Sequence, residues 1–113
     1  MTTFDIKIGD KKYKISYDRN AARAFEKIGG TMTILKEKFF TATDMLMFVG
    51  LSKYHPTISL NEAMELSDKA IDEHGINTVY STLAEAYMSV FTQGGSNATE
   101  KKTGFIVESP KAV

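Results

Sequence analysis

The sequence predicts an α+β fold, mostly helical, in which an N-terminal β-hairpin packs on a bundle of four to five short helices around a central apolar helix. Three observations predict it. Apolar and polar residues alternate as far as Tyr17, and beyond it the apolar residues recur at the three-and-four spacing of helices. Capping residues and glycines divide the rest of the chain into helix-sized pieces. Finally, Met45-Leu46-Met47-Phe48-Val49-Gly50-Leu51 carries no charged or hydrogen-bonding side chain, and a helix that is apolar all round is normally enclosed. At 113 residues the chain has the size of one domain, burying about two-thirds of the surface its unfolded form exposes.

Phe4, Ile6 and Ile8 alternate with polar residues, and Tyr13, Ile15 and Tyr17 do so after Gly9-Asp10. This is a hairpin with one apolar face. Even-numbered Ile6 can sit opposite odd-numbered Tyr13 only if the loop holds an even number of residues. A slip by one would turn one strand's apolar side to solvent. Asp18 is the cap of a helix from Arg19 to Ile28 that ends at Gly29-Gly30. Ala21, Ala22, Phe25 and Ile28 form its inner stripe, with Arg19, Arg23, Glu26 and Lys27 outside. Thr31 to Phe40 reads as a short helical turn anchored by Ile34-Leu35 and Phe39-Phe40.

The central helix is expected over Thr43 to Tyr54. Thr43 would cap its start, Asp44 suits the positive end of its dipole and Lys53 the negative end, and Pro56 forbids continuation. Gly50 inside it costs roughly 1 kcal/mol relative to alanine, so a neighbouring segment is expected to pack closely there. Ser59-Leu60-Asn61-Glu62 is a capping box. The helix it opens runs to His74 with Gly75 as a left-handed exit, and its inner stripe is Leu60, Ala63, Met64, Ser67, Ala70 and Ile71. The last helix, Ile76 to about Phe91, holds Val79, Tyr80, Leu83, Ala86, Tyr87 and Val90 at helical spacing. Gly94-Gly95-Ser96-Asn97 breaks it. The domain is therefore expected over residues 1–93, followed by a flexible C-terminal tail over 94–113. Within that tail Phe105-Ile106-Val107 is a strand-like island suited to pairing with a sheet edge.

Fourteen basic and 14 acidic side chains cancel, and no basic stripe of the kind nucleic-acid binding needs is visible. The apolar run is far short of the ~20 residues that span a bilayer. No cysteine is present, which fits a reducing compartment, and Met1-Thr2-Thr3-Phe4-Asp5 lacks the pattern of a signal peptide. A cytoplasmic, non-membrane protein is the expectation. No catalytic constellation emerges. His55 and His74 sit at helix ends, where histidine is usually a dipole-friendly cap without the clustered partners of a metal site. Asp72-Glu73 diverge on their helix, and no phosphate-binding glycine loop occurs. Neither a metal, a cofactor nor an enzyme activity is expected.

Two features go further. Six methionines are present, among them Met45, Met64 and Met88 on successive helices; they either fill the core or suit a surface that accepts varied apolar partners. Phe39, Phe40, Tyr87 and Phe91 add more aromatic surface than a small core readily encloses, and any of it left outside would mark a protein partner. These seven are the candidate partner-binding residues.

In order, Ile8-Gly9-Asp10-Lys11-Lys12-Tyr13-Lys14-Ile15 leads to Ala22-Arg23-Ala24-Phe25-Glu26-Lys27-Ile28-Gly29. An apolar helix, the His55-Pro56 break, the Ser59-Leu60-Asn61-Glu62 start and a helix ending near Gly75-Ile76 follow. Over residues 4–92 this resembles the tail assembly chaperones of long-tailed bacteriophages that infect Gram-positive bacteria. The phrase from Ala21 through Phe25-Glu26-Lys27 to Gly30, beside a hairpin, carries most of the likeness. The resemblance implies a non-enzymatic protein of the host cytoplasm, absent from the mature virion. Such a protein binds the tape measure protein and keeps it soluble until the tail tube assembles. It further implies a longer frameshifted form that could meet the tail tube protein; an A-rich run encoding Glu100-Lys101-Lys102 would suit such slippage. Self-association on a long client, through the hairpin edge or Phe105-Ile106-Val107, is a further expectation. The alternatives are a small helical adaptor or regulatory binding protein, and a structural tail component retained in the virion.

Overall fold

A computed structural model describes residues 2–92. The expected tail over 94–113, with the Phe105-Ile106-Val107 island, lies outside the described residues. Strands β1 (Thr2–Ile8) and β2 (Lys11–Tyr17) form an antiparallel hairpin closed by Gly9-Asp10. The register sets Ile6 opposite Tyr13 and Phe4 opposite Ile15, as the parity of the apolar positions requires. Among the described residues five helices follow: α1 (Arg19–Lys27), α2 (Met32–Glu37), α3 (Phe39–Leu51), α4 (Leu60–His74) and α5 (Ile76–Met88), the last running into a 3-10 turn at Ser89–Thr92.

α3 is the central rod. Ala42, Thr43, Met45, Leu46, Met47, Val49, Gly50 and Leu51 are all buried in it, and it touches α1, α2, α4, α5 and β2. The hairpin crosses it most closely at Gly50. A Cβ there would lie 2.7 Å from Ile15 Cγ2 and 2.8 Å from the Tyr17 hydroxyl. That hydroxyl donates to the Leu46 carbonyl at 2.7 Å. Burial holds the Tyr17 phenol well above its ordinary pKa, so it remains a donor. The missing side chain thus makes room for the ring whose hydroxyl ties the sheet to the rod.

The caps of α1 and α4 are as the sequence predicts. Asp18 accepts from the Ala21 N–H at 2.9 Å. Ser59 and Glu62 exchange side-chain-to-backbone bonds of 3.1 and 2.8 Å. α1 ends in a Schellman arrangement, with Gly30 N–H on the Phe25 carbonyl at 2.8 Å and Gly29 N–H on that of Glu26 at 3.1 Å. Gly29, at φ 100°, takes the positive-φ position that this exit needs.

Four boundaries differ from the sequence reading, one of them the end of the central helix, which stops at Leu51 and not at Tyr54. Phe39 and Phe40 belong to the first turn of α3 and not to the preceding short helix, because α2 stops at Glu37 and α3 restarts at once from Lys38 without a side-chain cap. Thr43 is consequently inside α3, where its hydroxyl donates to the Phe39 carbonyl at 2.7 Å and cannot cap. Asp44 sits in the second turn, away from the dipole's end. The helical repeat of α5 tightens to 3-10 from Ser89, with the Ser89 hydroxyl donating back to the Ala86 carbonyl at 2.6 Å.

Both histidines hold the hairpin in addition to ending helices. His55 Nε2 accepts the outward-facing Lys14 N–H at 3.1 Å, and its ring lies against Tyr13. His74 Nε2 meets the Lys7 carbonyl at 3.0 Å, while neighbouring Glu73 accepts from the Gly9 N–H at 2.7 Å. Each edge of the two-stranded ribbon is thereby tied to a helix terminus, which a marginal hairpin needs.

Candidate functional site

Among the described residues, no group of three or more His, Asp or Glu side chains could hold a metal ion, and no helix is long and apolar enough to cross a membrane. A cleft between α1 and the end of α3 is lined by Ser16, Asp18, Asn20, Ala21, Val49 and Lys53. Its charges serve the fold. The Ala21 N–H, and then Lys53 at 3.6 Å, hold the Asp18 carboxyl below its ordinary range against the opposing effect of burial.

The surface feature with functional content is apolar. Among the described residues nine large hydrophobic side chains are exposed, the most open being Phe40 at 61% and Phe91 at 56%; single exposed apolar residues are ordinary, so their arrangement decides whether they matter. Periodicity and ring contacts place most of them on two faces.

The first face follows α5. Tyr80, Ala84 and Met88 are spaced four apart on α5, and Phe91 lies in the 3-10 turn that follows. Phe39 closes one end by standing edge-on to Tyr80, with ring centroids 5.0 Å apart, and Phe91 closes the other edge-on to Tyr87 at 5.5 Å. Below the surface the Tyr80 hydroxyl donates to the Leu35 carbonyl, and Tyr87 packs on Phe25 and Tyr17. Phe91 therefore stands on a buried ring and Phe39 on a half-buried one. Tyr80 to Phe91 covers roughly 18 Å, at 1.5 Å per residue to Met88 and about 2.0 Å through the 3-10 turn, about three turns of a docked helix.

The second face lies between α3 and α4. Phe40, Asp44 and Phe48 form one row of α3, and Leu60, Met64, Asp68 and Asp72 one row of α4. α3 packs on α4, and Asp44 lies within electrostatic reach of Ser67 and Asp68. Those partners lie as far after the connecting loop as Asp44 lies before it, so the helices run antiparallel and the rows are neighbours. Burial pushes the Asp44 carboxyl above its ordinary pKa; the Ser67 hydroxyl draws it down and the Asp68 charge adds to the rise. Ser67 Oγ is fully buried and makes no hydrogen bond of ordinary geometry among the described residues, although it lies close enough to Asp44 to favour the ionised form.

Of the seven candidate partner-binding residues, Phe39, Met88 and Phe91 come together on the first face and Phe40 and Met64 on the second. Met45, 8% exposed, and Tyr87, 2% exposed, belong to the core and offer a partner no surface. Helical spacing sets Tyr87 within the stripe of the last helix and Met88 outside it, and burial follows that division. Leu60 and Met64 lie outside the inner stripe of α4, which narrows to Ala63, Ser67 and Ala70 because small residues there let α3 approach. Ile28, Met32, Tyr54 and Leu60 were not among the sequence candidates and are exposed. Each stands at or beside a helix terminus, where periodicity has no neighbouring turn to read.

No family model matches the chain, and no curated protein or solved structure matches it either.

Proposed function

We propose that this protein is a phage tail assembly chaperone that binds the tape measure protein and keeps it soluble in the host cytoplasm until the tail tube assembles. The observation that carries the reading is the pair of exposed apolar helix faces. Phe39, Met88 and Phe91 line one, and Phe40, Leu60 and Met64 the other. An elongated, helical, apolar client offers amphipathic segments, and such segments lay their apolar stripes into grooves between helices. Two faces on one small molecule let neighbouring sites on a long client be held together by effective concentration, without high affinity at either. The resemblance over residues 4–92 supplies the identity of the client. A role that ends with tube assembly accounts for exclusion from the finished particle, and a longer frameshifted form would supply the contact to the tail tube protein.

Co-expression tests this directly. With the protein present, the tape measure protein encoded nearby is expected in the soluble fraction and in the same complex after purification. A client that stays insoluble, or stays soluble without the protein, would remove the proposal. Mass spectrometry of purified virions separates this role from that of a retained tail component, which would appear there in abundance.

A further inference from the structure

The two apolar faces differ in charge. α4 carries Glu62, Glu65, Asp68, Asp72 and Glu73 against one lysine, Lys69, although the whole chain is neutral. Lys69 lines the cleft toward the hairpin with Lys11, Tyr13 and Glu65, leaving the α3 side of α4 to Asp68 and Asp72. Asp44 adds a third carboxylate from the facing row, and none of the three makes an ion pair among the described residues. Beneath them the Ser67 hydroxyl is buried without a hydrogen bond of ordinary geometry. Exposed apolar groups bracket these acids: Phe40 at one end, Leu60 and Met64 at the other, with half-buried Phe48 between.

We propose that this face docks an amphipathic helix in which a lysine or arginine is set among apolar residues. The apolar side chains would lie on Phe40, Phe48, Leu60 and Met64, with the cation between Asp44 and Asp68. This deepens the chaperone reading, on which it rests for the origin of the helix in the client. Burial already disfavours the Asp44 anion, and a seated cation offsets that cost while giving the site its preference. An acidic helix would bring like charges onto Asp44, Asp68 and Asp72 and be rejected.

The test uses the full chain and a fluorescent helical peptide of leucine and alanine with an arginine set within the apolar stripe, against the same peptide with glutamate at that position. The arginine peptide is expected to bind and the glutamate peptide not. The Asp44→Asn, Asp68→Asn double variant, which keeps side-chain size, should weaken binding by about tenfold while its circular dichroism melt stays at or above the parent's. Met64→Lys, at an exposed position, should abolish binding of the arginine peptide. Equal binding of both peptides, binding of neither, or unchanged binding by both variants overturns the site. The two proposals fail separately. Client rescue that survives the double variant leaves the chaperone function standing and removes this face, whereas arginine-peptide binding without client rescue keeps the face and removes the function.

Discussion

At Gly50, two properties of one residue pull in opposite directions. Helix propensity alone says that Gly50→Ala should stabilise by about 1 kcal/mol. The Ile15 methyl and the Tyr17 ring occupy the place of the added Cβ, and overpacking of that kind costs about 1–3 kcal/mol. Because the hairpin is pinned there by the Tyr17–Leu46 bond, the clash wins; Gly50→Ala is expected to lower the denaturation midpoint. Two carboxylates differ in the same way. Asp18 is held ionised by its cap and by Lys53, so its folded pKa lies below its unfolded one. Its contribution is present above the ordinary carboxylate range and lost as pH falls through the depressed value. Asp18→Ala should cost about 1 kcal/mol near neutrality, with the difference from the parent closing in acid melts. Asp44 is the reverse case. Its folded pKa is raised, so stability falls as pH rises from the ordinary range through that raised value. Asp44→Asn should melt higher than the parent at neutral pH, and the gain should vanish below about pH 3. The close approach at Gly50 and the Asp18 cap were legible in the sequence, because a glycine inside an apolar run and an aspartate before a helical stripe each have a local cause. The environment of Asp44 was not, since Ser67 and Asp68 reach it only through tertiary packing.

Among the elements, those with local chemistry at their ends were readable and those joined by distant contacts were not. Register parity placed the hairpin, and Ser59 with Glu62 placed the start of α4. The α2–α3 junction was missed because Lys38 ends one helix and begins the next with no capping side chain. The roles of His55 and His74 were missed for a different reason. Their partners on the hairpin are Lys14 and Lys7, far away in sequence. The Lys14 N–H points away from β1, and its hydrogen-bond partner is His55 Nε2. His55→Ala is therefore expected to speed amide exchange at Lys14 while the inward-facing amide of Tyr13, paired with Ile6, stays slow. Equal protection of Lys14 in parent and variant would mean that the histidine does not hold that edge.

For the whole molecule, the sequence was sufficient to place an apolar rod at the centre and a hairpin on it, since periodicity reports which side of an element is greasy. It could not report how wide the enclosed part of each stripe is. That width separates buried Met45 and Tyr87 from exposed Phe91, and with them the core from the candidate site. The distinction has an energetic signature. Leu46 is fully buried in α3, and Leu46→Ala should cost about 2–5 kcal/mol. Phe40→Asp and Phe91→Asp replace rings that are more than half exposed and should cost about 1 kcal/mol or less each. The most direct measurement is recovery of soluble tape measure protein in complex with the Phe40→Asp, Phe91→Asp double variant, whose melting temperature is first shown to match the parent's. Loss of the complex with the fold intact is the predicted result; full recovery of the complex would contradict the claim that these exposed faces hold the client.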